Sequence, residues 1–298
     1  MKRNGIHTFF NRNLILAKLI SIRYLSEYFP KVAAHIFSGI WFKVSRPNLN
    51  PKRDEWISKS IPFEVSHRGK KLPVYVRRHE AFIGQVVLIH GWSGRWDQLI
   101  KIGDALHQKG FEIVFFDLPS HGENIGDESD IFEFSEFLKL VDEKLNLLSP
   151  IVICHSAGFL TIALAKLTKG FPLSKLVTIN SPAKFDYLIE VFEEKIRFSS
   201  RLIPELWKIV DKRAGVVDAK TQLDTHHMAS IDSKSVLIFH DQNDKEVLVS
   251  QAEEMKKIWR EARFIKTQGL GHNRILADQM VIDEISSFCL GNKSLEKN

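Results

Sequence analysis

The chain of 298 residues contains only two cysteines, Cys154 and Cys289. Two cysteines could form one disulfide, but their number and spacing exclude the disulfide framework on which small secreted domains depend. The sequence also lacks the run of about 18 uninterrupted apolar residues that a membrane-spanning helix requires. The first apolar run, residues 14–22, is interrupted by Lys18, and no small-residue cleavage site follows it. We therefore expect a reducing, cytoplasmic setting and no secretory signal.

The signatures of several binding sites are absent as well. The sequence contains no phosphate-binding Gly-x-x-x-x-Gly-Lys-Ser/Thr run and no dinucleotide fingerprint. His226 and His227 are adjacent, so their side chains point apart, and no further ligand stands at the spacing of a zinc site. We predict that the protein has no cofactor and no metal.

The charge of the chain is unevenly distributed. Apolar residues make up 44% and charged residues 26%, which is ordinary for a soluble globular protein, and the net charge is +6. Residues 1–60 carry eleven basic and three acidic residues, whereas residues 61–298 carry 31 basic and 33 acidic residues. The basic character thus belongs to the N-terminal segment, and we predict no nucleic-acid partner. Two interpretations of residues 1–60 stay open: a solvated face packed on the body, or weak contact with an anionic membrane surface at the inner face of the membrane.

The first quarter of the chain changes its periodicity twice. Residues 14–29 and 32–43 have helical patterns, and Pro47 and Pro51 then indicate a linker. Residues 61–79 alternate between apolar and polar, which predicts antiparallel strands turning near Gly69. We predict a basic helical extension over 1–60 and a catalytic domain over 61–298.

From residue 86 onward, short continuous apolar runs alternate with helical patterns. The runs begin at residues 86, 111, 151, 176, 236 and 263. This alternation predicts an α/β fold, with a doubly wound and mostly parallel sheet covered by helices on both faces. About 55 residues separate the fourth run from the fifth, far more than the dozen or so that a crossover needs. Residues from about 182 to 230 are therefore predicted to form a helical lid.

A candidate nucleophile follows the third run, in Ile151-Val-Ile-Cys-His-Ser-Ala-Gly. Ser156 stands on a tight turn between a strand and a helix, with Cys154 two residues before it and Gly158 two residues after it. Such a turn exposes the hydroxyl at the carboxyl end of the sheet and needs small neighbours. A serine that merely caps a helix is the alternative.

A serine nucleophile needs a base, and the base needs an acid that orients it. His272 lies in a glycine-rich loop after the last strand, where its ring can reach over the edge of the sheet. Asp241 and Asp244 follow the preceding strand and are both candidates for the acid. The oxyanion would be held by two backbone N–H groups, those of Ala157 at the helix N-terminus and Trp92 in the loop after the first run.

Together these segments resemble the α/β-hydrolase fold superfamily. The resemblance covers Pro73 to Cys289, and it rests on His90-Gly-Trp-Ser-Gly, Asp117-Leu-Pro-Ser-His-Gly-Glu-Asn, Cys154-His-Ser-Ala-Gly, His240-Asp-Gln-Asn-Asp and Gly271-His. It implies the order Ser156, Asp244, His272 for a catalytic triad. The sequence departs from the family pattern at Cys154 and Ser120, where the family has glycine. Its two ends are also similar to a group of bacterial hydrolases whose substrates are undefined.

We therefore predict a serine hydrolase that cleaves a carboxylic ester or thioester through an acyl-enzyme, in the manner of a carboxylesterase. Phe185 and Leu188, on the lid, and His155, beside the nucleophile, are the predicted substrate-binding residues, and the aromatic lid favours an apolar acyl group in a small-molecule substrate. Two alternatives stay open: an acyltransferase that uses the same triad, and a non-catalytic binding protein on the same fold. The sequence leaves the oligomeric state and the substrate open.

Overall fold

The computed structural model describes residues 3–291, with side chains described from residue 15 onward. These residues form two compact units. The first, here called the sheet unit, comprises Val44–Ala183 and the residues from Thr225 onward. The second, here called the helical unit, comprises the residues up to Lys43 and the segment Lys184–Asp224. Residues 44–60, which the sequence assigned to the N-terminal extension, are thus grouped with the sheet.

The sheet unit is built on eight strands in the order β1-β2-β4-β3-β5-β6-β7-β8. The strands β1 and β2 form an antiparallel hairpin, β2 pairs with β4 antiparallel, and all other neighbours are parallel. The predicted α/β fold with a mostly parallel sheet is therefore confirmed. The strand bounds are β1 Ile61–His67, β2 Lys70–Arg77, β3 Gly84–Ile89, β4 Phe111–Phe116, β5 Ile151–His155, β6 Lys175–Ile179, β7 Val236–Asp241 and β8 Arg263–Thr267.

The helices of the sheet unit follow the strands at the predicted places. The helical segment between β3 and β4 begins with a 3₁₀ turn, Trp96–Leu99, and continues as an α-helix. The α-helices are α3 Arg53–Ser58, α4 Ile100–His107, α5 Ile131–Leu145, α6 Gly158–Lys169, α10 Ser250–Ile258, α11 Gly271–Arg274 and α12 Gln279–Leu290. Short 3₁₀ turns also occupy Thr225–Ser230, Ser233–Ser235 and Ile275–Ala277.

Both faces of the central strands are buried, as the continuous apolar runs predicted. Val86 and Leu88 of β3 pack into a core cluster with residues of α4 and α12. Val87 and Ile89 point to the opposite face because side chains alternate along a strand, and they are equally inaccessible to solvent. This two-sided burial explains why apolar residues run without interruption in these strands.

The short helix α3 was not predicted, since Pro47 and Pro51 indicated only a linker. Its Trp56 is buried, with the ring centroid 5.2 Å from that of Phe115 on β4. The indole N–H of Trp56 donates to Asp104 Oδ1 on α4 at 3.0 Å. Burial of one large ring therefore holds this segment in the core of the sheet unit.

The helical unit consists of α1 Arg3–Tyr28, α2 Pro30–Trp41, α7 Asp186–Ile196, α8 Leu202–Ala214 and α9 Ala219–Gln222. It joins the N-terminal helices to the helices of the predicted lid. Phe37 of α2 is buried, and its ring centroid lies 5.4 Å from that of Phe192 on α7. Ser26 of α1 accepts a hydrogen bond from the backbone N–H of Ser199 at 2.8 Å.

An apolar pocket lies inside the helical unit. It is small and partly open to solvent, and its lining includes Phe37 and Trp41 of α2 together with Phe185 and Leu206. Among the residues that the structure describes, no helix combines the length and apolarity that crossing a membrane requires.

Candidate active site

Ser156 occupies the turn between β5 and α6. Its φ of 52° lies in the left-handed region, which is uncommon for a residue with a side chain and marks a strained backbone. Its N–H donates to the carbonyl of Ile179 at 3.0 Å, which ties the turn to β6. The side chain is half-buried. The structure thus gives Ser156 the sharp turn that the sequence predicted.

Close packing explains the glycine two residues after Ser156. A Cβ on Gly158 would lie 2.9 Å from the carbonyl oxygens of Ile89 and His90 at the end of β3. Any larger residue would push α6 away from the sheet. The position two residues before the serine tolerates Cys154, whose thiol is buried inside the sheet and donates to Val177 O at 3.4 Å. Burial raises the pKa of the Cys154 thiol, which keeps it protonated and inert.

The structure brings His272 and Asp244 together. His272 Nδ1 lies 2.7 Å from Asp244 Oδ2, and the carboxylate is inaccessible to solvent. Burial by itself would raise the pKa of Asp244, but the His272 hydrogen bond and charge, with the N–H groups of Glu246 and Val247, hold it below its usual value. A carboxylate at Nδ1 requires the proton on that nitrogen, so Nε2 is the nitrogen available as a base.

Asp241, the other candidate for the acid, accepts hydrogen bonds from other groups. Its Oδ2 accepts hydrogen bonds from Thr267 Oγ1 at 2.8 Å and from the N–H of Leu270 at 3.0 Å. Its Oδ1 accepts from the N–H of Asn243 at 2.9 Å. These hydrogen bonds join the loop after β7, which carries Asp244, to the loop after β8, which carries His272. Asp241 therefore anchors the two loops, and the carboxylate on the imidazole is that of Asp244.

Two further side chains hold the backbone of His272. Asn180 Nδ2 donates to the carbonyls of Gly271 at 3.0 Å and His272 at 3.1 Å, and its Oδ1 accepts from the N–H of Asp241 at 2.8 Å. His155 Nε2 lies 3.0 Å from the same His272 carbonyl. Burial and the charge of His272 lower the pKa of His155 to about 3, so its ring is neutral.

Sequence reasoning missed Asn180 and assigned His155 differently. Asn180 directly follows β6 and has a φ of 47°, a conformation that asparagine tolerates better than most residues. A polar residue at the carboxyl end of a parallel strand was the available signal. The ring of His155 is buried and contacts His272, with 4.7 Å between the centroids. Its predicted contact with substrate stays a prediction.

The serine and the imidazole are not hydrogen-bonded in this structure. Within the described residues, Ser156 Oγ forms no hydrogen bond, and the side-chain oxygen recorded near His272 Nε2 is Glu246 Oε2 at 3.7 Å. Catalytic hydrogen bonds are often long in the absence of substrate and shorten when it binds. The pairing of Ser156 with His272 therefore stays a prediction.

The loop after β3 touches the nucleophile. A Cβ on Gly91 would lie 2.8 Å from Ser156 Cβ, so only glycine permits this approach. Trp92 comes next, and its ring packs against His121 and Phe134, with centroid distances of 5.4 and 5.6 Å. The N–H of Ala157 donates to no acceptor within the described part of the chain. A free N–H at the start of α6 is suited to an anion.

Two buried histidines tie the Trp92 loop to the loop after β4. His90 Nε2 accepts from the N–H of Leu118 at 2.9 Å, and His121 Nε2 accepts from the N–H of Ser93 at 2.9 Å. Each ring donates through Nδ1 to a carbonyl, Gly91 O for His90 and Pro119 O for His121. Burial lowers the pKa of His90 to about 4 and that of His121 to about 3. Both rings must be neutral, because a protonated Nε2 could not accept.

The second departure from the family pattern has a local explanation. Ser120, in the same loop after β4, has a φ of 62°, which lies in the region that favours glycine. The chain therefore keeps the turn despite the serine. Its carbonyl accepts a hydrogen bond from Arg46 Nη2 at 3.4 Å.

The remaining predicted site residues, Phe185 and Leu188, lie in the helical unit. Phe185 lines the apolar pocket described above, and its ring lies 5.9 Å from Trp41 and 5.6 Å from Trp207 between centroids. Leu188 is half-buried on α7. Their role in binding substrate stays a prediction. Among the described residues, no group of three metal-ligating side chains comes together.

A sequence profile described as the alpha/beta hydrolase family matches residues 86–284, which is more than half of the chain. The chain belongs to the alpha/beta hydrolase family. The match spans the candidate site of this alpha/beta hydrolase from the Trp92 loop to His272. No curated protein matches the chain in sequence.

Solved structures share the fold at low sequence identity. Est1E from Butyrivibrio proteoclasticus, solved with ferulic acid bound, has a TM-score of 0.58 and 15% identity over 76% of this chain and 98% of its own. The esterase EaEST from Exiguobacterium antarcticum has a TM-score of 0.55 and 15% identity, over 78% of this chain and all of its own. A thermophilic esterase from Thermogutta terrifontis has a TM-score of 0.54 and 12% identity, over 77% of this chain and 97% of its own. At these identities the similarity concerns the fold alone.

Proposed function

We propose that this alpha/beta hydrolase is a serine hydrolase that cleaves a carboxylic ester or thioester of a small molecule through an acyl-enzyme. One observation carries the proposal: the 2.7 Å contact between His272 Nδ1 and the buried Asp244 carboxylate, at the edge of the sheet where Ser156 stands on its strained turn. That arrangement orients an imidazole base and presents a serine hydroxyl at the same end of the parallel strands. Family membership and the esterases that share the fold support the same reaction class.

In the first half of the proposed reaction, Ser156 Oγ attacks the carbonyl carbon while its proton passes to His272 Nε2. The imidazolium that forms is stabilised by Asp244, which remains a carboxylate. The carbonyl oxygen becomes an oxyanion, and the N–H groups of Ala157 and Trp92 are its proposed donors. The bond to the leaving alcohol or thiol then breaks, and the leaving group takes the proton from Nε2.

In the second half, a water molecule attacks the acyl-serine. His272 Nε2 takes one proton from the water and returns it to Ser156 Oγ as the acyl–oxygen bond breaks. The products are a carboxylic acid and free enzyme. The same steps with an alcohol in place of water would give acyl transfer.

Labelling with a fluorophosphonate tests the nucleophile. The probe should label the wild type, and it should not label Ser156→Ala. Ser174→Ala is the matched control because Ser174 is an exposed serine of the sheet unit, and this variant should label like the wild type. Labelling of Ser156→Ala at the wild-type level would refute the assignment.

Turnover of short-chain p-nitrophenyl esters and thioesters separates the proposal from its alternatives. Release of p-nitrophenol with a matching amount of free acid indicates hydrolysis. An added alcohol that captures most of the acyl group in place of water would instead indicate an acyltransferase. A correctly folded wild type that is neither labelled nor active would favour a non-catalytic binding protein.

A further inference from the structure

The outer face of helix α1 carries a row of exposed apolar side chains. Leu16, Ile20, Tyr24 and Tyr28 are 56%, 50%, 68% and 79% exposed, and they follow each other at intervals of four residues. Residues four apart lie on the same face of a helix. On the opposite side, Ile22 is buried within the protein. Helix α1 therefore has two apolar sides, and only one of them is covered.

The apolar row continues past the end of α1. Phe29 and Val32, at the junction with α2, are 60% and 51% exposed. Three of the six exposed side chains are aromatic, and two of these are tyrosines, which combine an apolar ring with a polar hydroxyl. Such residues are favoured where a protein meets the headgroup region of a bilayer. We call Leu16, Ile20, Tyr24, Tyr28, Phe29 and Val32 the α1 face.

Two exposed basic residues, Arg23 and Lys31, are close in sequence to residues of the α1 face. Neither pairs with an acidic side chain among the residues that the structure describes. The acidic residue of this helix, Glu27, is already neutralised by Arg201, with 3.1 Å between Oε1 and Nη1.

The net charges of the two units also show that the basic excess lies in the helical unit. The ranges that make up the helical unit contain 15 basic and nine acidic residues, a balance of +6, whereas those of the sheet unit contain 27 of each. The whole excess thus belongs to the helical unit. Within it, residues 1–43 carry seven basic residues and one acidic residue.

We propose that the α1 face docks on the surface of an anionic lipid bilayer. Exposed apolar side chains and basic side chains on one helix are the combination that binds such a surface, the first by entering the interface and the second by attracting anionic headgroups. In this proposal the helix lies along the bilayer surface; no helix in the described part of the chain is long and apolar enough to cross a membrane. This docking is independent of the reaction at Ser156.

Flotation of the full-length protein with lipid vesicles tests the proposal. Vesicles of equal parts phosphatidylcholine and phosphatidylglycerol should carry the wild type upward, and vesicles of phosphatidylcholine alone should not. Binding should weaken as salt is added, because ions screen the attraction between charges. No flotation with the anionic vesicles, or equal flotation with both kinds, would overturn the proposal.

Paired variants identify the face. Ile20→Ser combined with Tyr24→Ser should lower partitioning at least about tenfold, since both side chains lose their burial in the interface. Val217→Ser removes an apolar side chain that is 96% exposed elsewhere in the helical unit, and it should bind like the wild type. Because all three positions are exposed, the circular dichroism and melting temperature of these variants should match the wild type.

A charge variant gives an independent readout. Arg23→Gln should weaken partitioning about fivefold, the effect expected for one basic residue near an anionic surface. Lys109→Gln, at an exposed position of the sheet unit, should have no effect. Wild-type binding by both Arg23→Gln and the double variant would refute the assignment to this face. Sedimentation showing a dimer that the double variant abolishes, without vesicle binding, would assign the face to a second copy of the chain.

Discussion

The sheet unit and the helical unit differ in net charge, in burial and in the contacts that hold them together. The sheet unit is electrically balanced, its strands are buried on both faces, and its loops are joined by hydrogen bonds between buried polar groups such as Asp241 and Asn180. The helical unit carries the whole net charge of +6 and keeps several large apolar side chains exposed. Its interior is joined mainly by aromatic contacts, such as the one between Phe37 and Phe192.

This difference matches the two proposed tasks, catalysis by the sheet unit and binding of apolar or anionic surfaces by the helical unit. Catalytic groups must be held within fractions of an ångström, and directional hydrogen bonds on a rigid sheet provide that accuracy. Contact with an apolar substrate or a lipid surface needs area and charge, which amphipathic helices provide without a fixed network. Four measurements test whether the two units differ in this way.

The largest effect should come from the imidazole. His272→Ala should reduce kcat/KM for aryl esters by about 10⁴-fold, because the serine loses its base. Lys208→Ala, at an exposed position of the helical unit, should leave kcat/KM unchanged. A comparable loss in Lys208→Ala would show that the chemistry is not confined to the sheet unit.

Core truncation should reveal how strongly the sheet unit depends on close packing. Phe115 on β4 is inaccessible to solvent and packs on Tyr75, Trp56 and Trp96. Phe115→Ala should lower the free energy of unfolding by about 3–5 kcal/mol, measured by urea denaturation. Phe37→Ala is the matched variant in the helical unit, and its free energy of unfolding is measured in the same way. If Phe115→Ala cost less than about 1 kcal/mol, a rigid sheet core would be the wrong description.

Acid should destabilise the sheet unit through its buried histidines. His90, His121 and His155 have pKa values lowered to about 4, 3 and 3, so the unfolded chain binds more protons than the folded one between those values and about 6.5. Stability is then complete above the unfolded pKa, and it falls as the pH drops toward the folded value. Each histidine should contribute about 1.4 kcal/mol per pH unit in this window.

Urea denaturation at several pH values measures that slope. In His121→Gln the dependence of the unfolding free energy on pH should be weaker by about 1.4 kcal/mol per pH unit, which corresponds to one bound proton fewer. His35→Gln in the helical unit is the matched control, because it also removes one histidine and lies at an exposed position. An equal decrease in both variants would contradict the assignment to the sheet unit.

The smallest effect should come from a surface ion pair of the helical unit. The side chains of Glu27 and Arg201 are 45% and 65% accessible to solvent, so solvent screens their attraction. Arg201→Ala should change the free energy of unfolding by about 0–1 kcal/mol, measured by thermal denaturation. A loss well beyond that range would show that polar contacts stabilise the helical unit after all.

Much of the sheet unit could be predicted from the sequence. The strands observed from Gly84 to Thr267 begin within two residues of the predicted starts, and the hairpin turns near Gly69 as expected. These features are local, since each depends on a short apolar run or a turn residue. The helix α3 was missed because its place depends on the burial of Trp56 against Phe115, which lie far apart in the chain.

The candidate site was predicted only in part. The turn at Ser156 and the loop of His272 follow from small residues near the ends of strands. The choice between Asp241 and Asp244 could not be made from spacing, because both follow β7 by a few residues and only the packing of the loops shows which one reaches the ring. The sequence did not predict the structural roles of Asn180, His90 and His121, because their hydrogen-bond partners follow other strands.

The linear pattern was enough to give the order of the strands and of most helices, the residue types available for chemistry and the excess of basic residues near the N-terminus. Periodicity and turn chemistry are short-range properties, so a linear pattern reveals them. The family resemblance implied Asp244, but only the packing of the loops shows its carboxylate on His272, and only the folded chain shows that the N-terminal helices and residues 184–224 form one unit. The tertiary structure also decided which side of α1 stays uncovered. These are contacts between remote segments, and they depend on how the whole chain buries its apolar surface.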